Sequence, residues 1–176
     1  MNNTGTKIII CGLNGAGKST LGRALADRTG WVFKDVEDYY FPKNDPSYPY
    51  ATQRTEEEII KLLYNDLCQN DNMIFAGVRG NYSPETAAMF TDAVFIKVPK
   101  EIRMERVRSR AFKKFGDRVL QGGDLYEREN AFYDMIGKRT DEMVTDWLET
   151  LNIPVITIDG RKPIEENVEL ILGLWR

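Results

Sequence analysis

Gly12-Leu13-Asn14-Gly15-Ala16-Gly17-Lys18-Ser19-Thr20 is the stretch on which the reading of this sequence turns. It satisfies G-x-x-x-x-G-K-[ST], in which glycines let the backbone wrap an anion with its N–H groups pointing inward. The flanking residues suit that pattern. Lys7-Ile8-Ile9-Ile10-Cys11 is a short apolar, β-branched run of the kind that forms a buried strand. Ser19-Thr20-Leu21-Gly22-Arg23-Ala24-Leu25-Ala26 carries Leu21, Ala24 and Leu25 on one helical face. Strand, glycine loop and helix in that order aim a helix N-terminus, with its positive dipole end, at a phosphate. In such a loop Lys18 reaches the β/γ-phosphates and Ser19 offers its hydroxyl to Mg²⁺. The stretch is therefore expected to hold a nucleotide.

The remaining composition limits what that site can do. A chain of 176 residues is expected to form one domain with a sizeable core. With 24 Lys+Arg against 27 Asp+Glu, the charge balance argues against a nucleic-acid-binding protein. The basic residues are nevertheless uneven and gather between Lys97 and Arg118. The polar start, Met1-Asn2-Asn3-Thr4-Gly5, does not resemble a signal peptide, and no apolar run is long enough to span a membrane. Cys11 and Cys68 lie in no metal-binding or C-x-x-C spacing, so both are expected to be reduced thiols of a cytoplasmic protein. Histidine is absent. Proton chemistry must then fall to carboxylates or to bound phosphate.

Further along, Arg28-Thr29-Gly30 ends the first helix and Trp31-Val32-Phe33-Lys34 is expected to be the second strand. It runs into Asp35-Val36-Glu37-Asp38, where three carboxylates crowd a strand's C-terminal end. By itself this reads as a solvated turn or an acidic helix start. Beside a phosphate loop it reads as a site in which Mg²⁺ compensates the repulsion. Residues 41–51, with three prolines and several tyrosines, are expected to cover or shape a pocket. Residues 53–70 form an expected helix with Ile59, Ile60, Leu63 and Leu67 as its apolar stripe, and Arg54 at its start. Asn72-Met73-Ile74-Phe75-Ala76 is a third strand, followed by Gly77-Val78-Arg79-Gly80-Asn81. Ala76 stands where many phosphate-loop proteins carry a metal-binding aspartate, which leaves Asp35 as the metal's partner.

Ser83-Pro84-Glu85 starts a short helix, and Ala93-Val94-Phe95-Ile96-Lys97-Val98 is a fourth strand. Residues 100–113 have helical spacing, with Met104, Val107 and Ala111 on one face and Arg103, Arg106 and Arg110 on another. The basic, glycine-punctuated segment that follows, about 112–124, suits a mobile lid closing on phosphates. Asp124-Leu125-Tyr126-Glu127 has capping-box character and opens what reads as one long helix, with Phe132, Ile136, Met143 and Trp147 on its inner face. Ile153-Pro154-Val155-Ile156-Thr157-Ile158 is a fifth strand, and residues 163–175 close the chain as an amphipathic helix. Five strands alternating with helices imply a parallel sheet covered on both faces.

In this order of elements the chain resembles the P-loop small-molecule kinases, the group that holds the nucleoside monophosphate kinases, shikimate kinase and gluconate kinase. The resemblance implies a three-layer α/β/α fold, a five-stranded parallel sheet of order 2-3-1-4-5, and a helical lid. Asp35-x-Glu37 is similar to the D-x-D of shikimate kinase, whose first carboxylate serves Mg²⁺ and catalysis and whose second holds a substrate hydroxyl. Arg54-x-x-Glu57 is similar to the R-x-x-E on the following helix, and Gly77-Val78-Arg79 sits where monophosphate kinases carry D-G-x-P-R. The chain departs from both patterns: it lacks the triple glycine after strand three, and has Ala76 and Gly80 where the monophosphate kinases have Asp and the Arg-adjacent Pro.

These readings together predict transfer of the γ-phosphoryl group of ATP to a small-molecule hydroxyl or phosphate acceptor. The catalytic candidates are Lys18, Asp35, Arg110 and Arg118. Ser19 and Asp35 are the Mg²⁺ candidates, residues 12–20 hold the nucleotide, and Glu37, Asp38, Arg54 and Arg79 are expected to form the acceptor pocket. The absence of N-K-x-D favours ATP over GTP. Two other readings fit the sequence: a nucleotide-dependent switch with little turnover, and a kinase of nucleic-acid ends drawing on the basic region at 97–118.

Overall fold

The computed structural model describes residues 5–175; the polar residues 1–4 of the expected N-terminal segment lie outside them. Five strands, β1 (Lys7–Cys11), β2 (Val32–Asp35), β3 (Met73–Ala76), β4 (Asp92–Lys97) and β5 (Val155–Asp159), form one sheet in the order β2-β3-β1-β4-β5. Every pairing is parallel. The sequence-based order and the covered parallel sheet are both observed.

The alternation of side chains along β1 explains the layers. Ile8 and Ile10 point to a face covered by helix α1 (Lys18–Thr29) and the C-terminal helix α8 (Ile164–Leu174), joining Leu21, Leu25, Val168 and Ile171. Ile9 and Cys11 point to the other face, where they meet α3 (Glu56–Gln69) through Ile59, Leu63 and Leu67 and α7 (Glu142–Glu149) through Val144 and Trp147. All five β1 residues are buried, as a strand with two covered faces requires. The remaining helices are α2 (Val36–Tyr40), α4 (Pro84–Ala87), α5 (Lys100–Phe115) and α6 (Tyr126–Gly137).

A third apolar cluster lies beyond the C-terminal ends of the strands. There Met104, Val107 and Ala111 of α5 pack with Tyr133 and Ile136 of α6, and Tyr48 from the segment between α2 and α3 joins them. This places residues 41–51 over the sheet edge where ligands of open α/β sheets bind.

Three local expectations are corrected. The long helix after residue 124 is two helices, α6 and α7, separated at Lys138-Arg139-Thr140-Asp141. Asp124 caps neither: α6 begins after Leu125 with no side-chain cap, because the Asp124 carboxylate accepts from Arg118 instead. Arg54 precedes its helix; the N-cap is Thr55, in a capping box with Glu58 that offsets the orphan N–H groups. In keeping with the expected helical lid, the segment 112–124 is largely helical: α5 continues to Phe115 and a 3-10 turn spans Gly116–Val119.

Phe75 ties the sheet to the aromatic groups above it. It is fully buried and its ring lies 5.8 Å from Tyr39, 5.9 Å from Phe90 and 6.1 Å from Tyr82. Phe75→Ala is expected to lower unfolding free energy by about 3–5 kcal/mol, a large share of the roughly 5–15 kcal/mol of an ordinary domain. Urea denaturation of the two proteins measures the difference.

Candidate active site

The 12–17 loop owes its shape to glycine. Gly12, Gly15 and Gly17 have φ of 145°, 83° and 99°, in the region that side chains disfavour. At two of them a side chain would also strike backbone: a Cβ on Gly12 would lie 2.6 Å from the Ile96 carbonyl oxygen, and one on Gly15 2.3 Å from that of Arg103. Around Gly17 there is open space. Gly17 is the N-cap of α1, has no side chain to satisfy the helix start, and is followed by a first turn without acidic residues. The leading N–H groups of α1 therefore keep their donors for an anion.

Four cationic side chains brace this loop. Lys18 folds back so that its Nζ donates to the Leu13 carbonyl at 3.1 Å. Arg103 is buried and donates from Nε to the Val98 carbonyl at 3.1 Å and from Nη1 to the Asn14 carbonyl at 3.2 Å. Arg106 bridges the carbonyls of Gly15 and Gly160, at 3.4 and 3.1 Å. Arg139 donates to Asn14 Oδ1 at 2.7 Å. Of the arginine stripe seen in the sequence, then, Arg103 and Arg106 are structural braces. Arg110 alone faces the central cavity.

Asp35 ends β2 level with Ala76 on the neighbouring strand, so it stands one strand over from the position where the sequence lacks an aspartate. It is buried, and its Oδ1 accepts the Glu37 N–H at 3.0 Å as the N-cap of α2. Burial lowers the pKa of Lys18 to about 8; the nearby Asp35 and Glu37 carboxylates oppose that, and Arg110 adds to it. One electrostatic neighbourhood therefore contains Lys18, Asp35, Glu37 and Arg110. Cys11, beneath the loop, is inert: burial pushes its thiol up to about 12.

Beside this cluster opens a cavity of about 630 Å³, walled by Glu37, Arg79 and Arg110, by Asn14 of the loop, and by many aromatic rings. Two other expected pocket residues, and the expected catalytic Arg118, are placed elsewhere. Asp38 forms an ion pair with Lys43 outside the cavity wall. Arg54 donates to the carbonyls of Asp38 and Tyr39, at 2.8 and 2.9 Å, closing the end of α2. Arg118 is held by Asp124 at 2.8 Å and donates to the Ser47 carbonyl at 2.6 Å, off the cavity wall. Each of these three has its charge spent on the scaffold. A smaller recess of about 430 Å³ lies on the other side of the loop, between Gly17, Thr20 and Arg106 and the turn at Gly160, Arg161 and Lys162.

Arg139 is the cavity residue that sequence reasoning missed. It stands in the break between α6 and α7. Gly137 followed by Thr140-Asp141 was the available signal, a helix stop and restart. The tyrosines 40, 50 and 82 on the cavity wall carry no motif, and their convergence arises only from packing.

This arrangement of parallel sheet, glycine loop and covered cavity is the fold of the P-loop small-molecule kinases. A family model described as AAA domain matches residues 8–129, and the chain belongs to that family. The chain is 32% identical over 173 residues to the uncharacterized protein YqaC of Bacillus subtilis (strain 168), covering 94% of each. It is 27% identical over 191 residues to a shikimate kinase of Xanthomonas campestris pv. campestris (strain 8004), covering 99% of this chain and 96% of that one. Among solved structures, a shikimate kinase from Bacteroides thetaiotaomicron superposes with a TM-score of 0.59 at 18% identity, covering 97% and 98% of the two chains. No helix among the described residues is long and apolar enough to cross a membrane.

The lowered pKa of Lys18 has a signed consequence. Below about pH 8 the ammonium is already charged in the free protein; above it, binding a polyphosphate must take up a proton. Nucleotide affinity by titration calorimetry is expected to be flat between pH 7 and 8 and then to weaken by up to about tenfold per pH unit. Lys18→Arg, charged throughout, is expected to remove that decline.

Proposed function

We propose that this protein is an ATP-dependent phosphotransferase that moves the γ-phosphoryl group to a small-molecule acceptor bound in the central cavity. The observation that carries this reading is the convergence of Lys18, Asp35, Glu37 and Arg110 between the phosphate loop and that cavity. The nucleotide's triphosphate lies along residues 12–20. Its base takes the recess by Thr20, Arg106 and the 160–162 turn. A loose phosphoryl-transfer transition state asks the protein for position and charge neutralisation more than for covalent chemistry.

Mg²⁺ fits the residues present. The Ser19 hydroxyl and the Asp35 carboxylate are hard oxygen donors, and no group of three or more metal-ligating side chains occurs among the described residues. The ion would therefore arrive with the phosphates, as Mg²⁺ characteristically does. When bound it neutralises charge on the β- and γ-phosphates.

The chain's own groups do the rest. Loop N–H groups and Lys18 hold the phosphates; the approaching anion stabilises the ammonium that burial disfavours. Arg110 brings a second cation to the transferring group, a role in which cis arginines contribute about 10³–10⁵ in rate. Asp35, or Glu37 in its place, accepts the proton when the acceptor is a hydroxyl. The segment 112–124 and the cover at 37–56 exclude water, with 112–124 moving as a lid. Arg118 ties the lid to the cover by holding Asp124 and Ser47, so in this scheme it acts as a latch.

ADP release coupled to an acceptor panel tests the reading. Lys18→Ala is expected to lower acceptor-stimulated turnover by at least about a hundredfold, comparable to losing one preorganised donor at a transition state. Unchanged turnover would overturn the assignment. Asp35→Ala is expected to shift the Mg²⁺ dependence to higher concentration; an identical Mg²⁺ curve would remove Asp35 from metal binding.

A further inference from the structure

Two features of the central cavity are left unused by transfer to an unspecified acceptor. The first is a pair of guanidinium groups, Arg79 and Arg139, on the wall beside the loop. Arg139 is fixed there by Asn14 Oδ1 at 2.7 Å. Burial, and then the neighbouring Arg79 charge, hold its pKa below the usual arginine value. Among the described residues neither arginine forms an ion pair with a carboxylate. The cavity's two acids point their oxygens elsewhere: Glu129 Oε1 accepts from Tyr48 at 2.9 Å and Glu37 Oε2 from Tyr50 at 3.5 Å. Two half-buried like charges without an acid between them form a built anion site within the loop's reach.

The second feature is a continuous run of rings. It passes from Tyr82 to Tyr40 at 6.4 Å, to Phe41 at 6.2 Å, to Tyr50 at 5.0 Å and to Phe115 at 6.2 Å, and all five residues line the cavity. Lys114 sits 4.4 Å from the Tyr50 ring centroid and donates to a tyrosine hydroxyl, that of Tyr50, at 2.9 Å, which steadies the far end of the run. Besides the amides of Asn14, Gln53 and Asn81, the wall thus carries a run of aromatic rings, an apolar surface that a flat ring can lie against.

Resting on the phosphotransferase reading, we infer that the acceptor is a phosphate monoester bearing a planar heterocycle, the class of the nucleoside monophosphates. Its phosphate is gripped by Arg79 and Arg139 and its ring lies along the aromatic run. The acceptor phosphate oxygen attacks the γ-phosphorus of ATP, and the bond from that phosphorus to the β,γ-bridging oxygen breaks. ADP leaves with the electron pair, and the acceptor becomes a diphosphate. A phosphate monoester is largely dianionic at neutral pH, so its attacking oxygen has no proton to lose. For this acceptor Asp35 is needed for the metal and not as a base.

The test sets nucleoside monophosphates against shikimate and gluconate. Calorimetric binding without ATP is measured first, then ADP release, with the product identified by phosphorus NMR. At least one monophosphate is expected to bind the ATP-free protein and to become a diphosphate in a Lys18-dependent reaction. Arg79→Gln is expected to raise its KM, and Tyr50→Leu to raise it about tenfold, the loss of one stacking partner. Tyr50→Phe, which keeps the ring but loses the hydroxyl, is expected to raise it less than Tyr50→Leu does. Turnover with a hydroxy acid and no monophosphate binding would overturn this inference and leave the phosphotransferase reading standing. Monophosphate binding without diphosphate formation would overturn the acceptor assignment. Absence of Lys18-dependent ADP release with every acceptor would overturn both.

Discussion

The loop at 12–17 can exist only because its backbone lies against other backbone. Gly12 abuts the Ile96 carbonyl and Gly15 the Arg103 carbonyl at separations that leave no room for a Cβ. Arg103 and Arg106 then tie the outer carbonyls of the loop to α5 and to the turn after β5. The phosphate site is thus a shape imposed by β1, β4 and α5 together. That explains why two arginines of α5 are committed to the scaffold before any ligand arrives.

The same economy governs the charges around the cavity. Groups whose partners lie in the scaffold, such as Arg54, Asp38 and Arg118, hold segments in place. Groups without acid partners among the described residues, Arg79, Arg110 and Arg139, remain available to an anion. Lys18 stands between the two sets, since its ammonium rests on a loop carbonyl and is disfavoured by burial until negative charge comes near. Burial of cations without counter-ions costs folding free energy, and a binding site for polyanions is where that cost is offset by ligand.

The cover over the sheet is assembled from distant parts of the chain. Tyr48 from the segment after α2 packs on α5 and α6 and donates to Glu129. Arg128 donates to the Tyr50 carbonyl at 2.9 Å, and Arg118 to that of Ser47. The two coverings of the cavity therefore contact each other directly, so opening one strains the other. A lid and a substrate cover joined this way would move as a unit.

Much was legible in the sequence because it is local. The spacing of three glycines, a lysine and a serine defines the loop, a short continuous apolar run defines β1, and the alternation of strands with helices defines a parallel sheet. The place of Asp35 at a strand end followed from the same local pattern. Packing decided the rest. Three of the arginines and carboxylates singled out for the site, Arg54, Asp38 and Arg118, are drawn away by partners many residues distant or by neighbouring loops. Arg139 enters the cavity because a helix that reads as continuous breaks there. The aromatic run brings together rings from residues 40 to 115, which no spacing rule connects. A motif records what the backbone must do over a few residues. Which long, flexible charged side chains face a ligand depends on which carbonyls and carboxylates the folded chain places near them, and only the tertiary structure settles that.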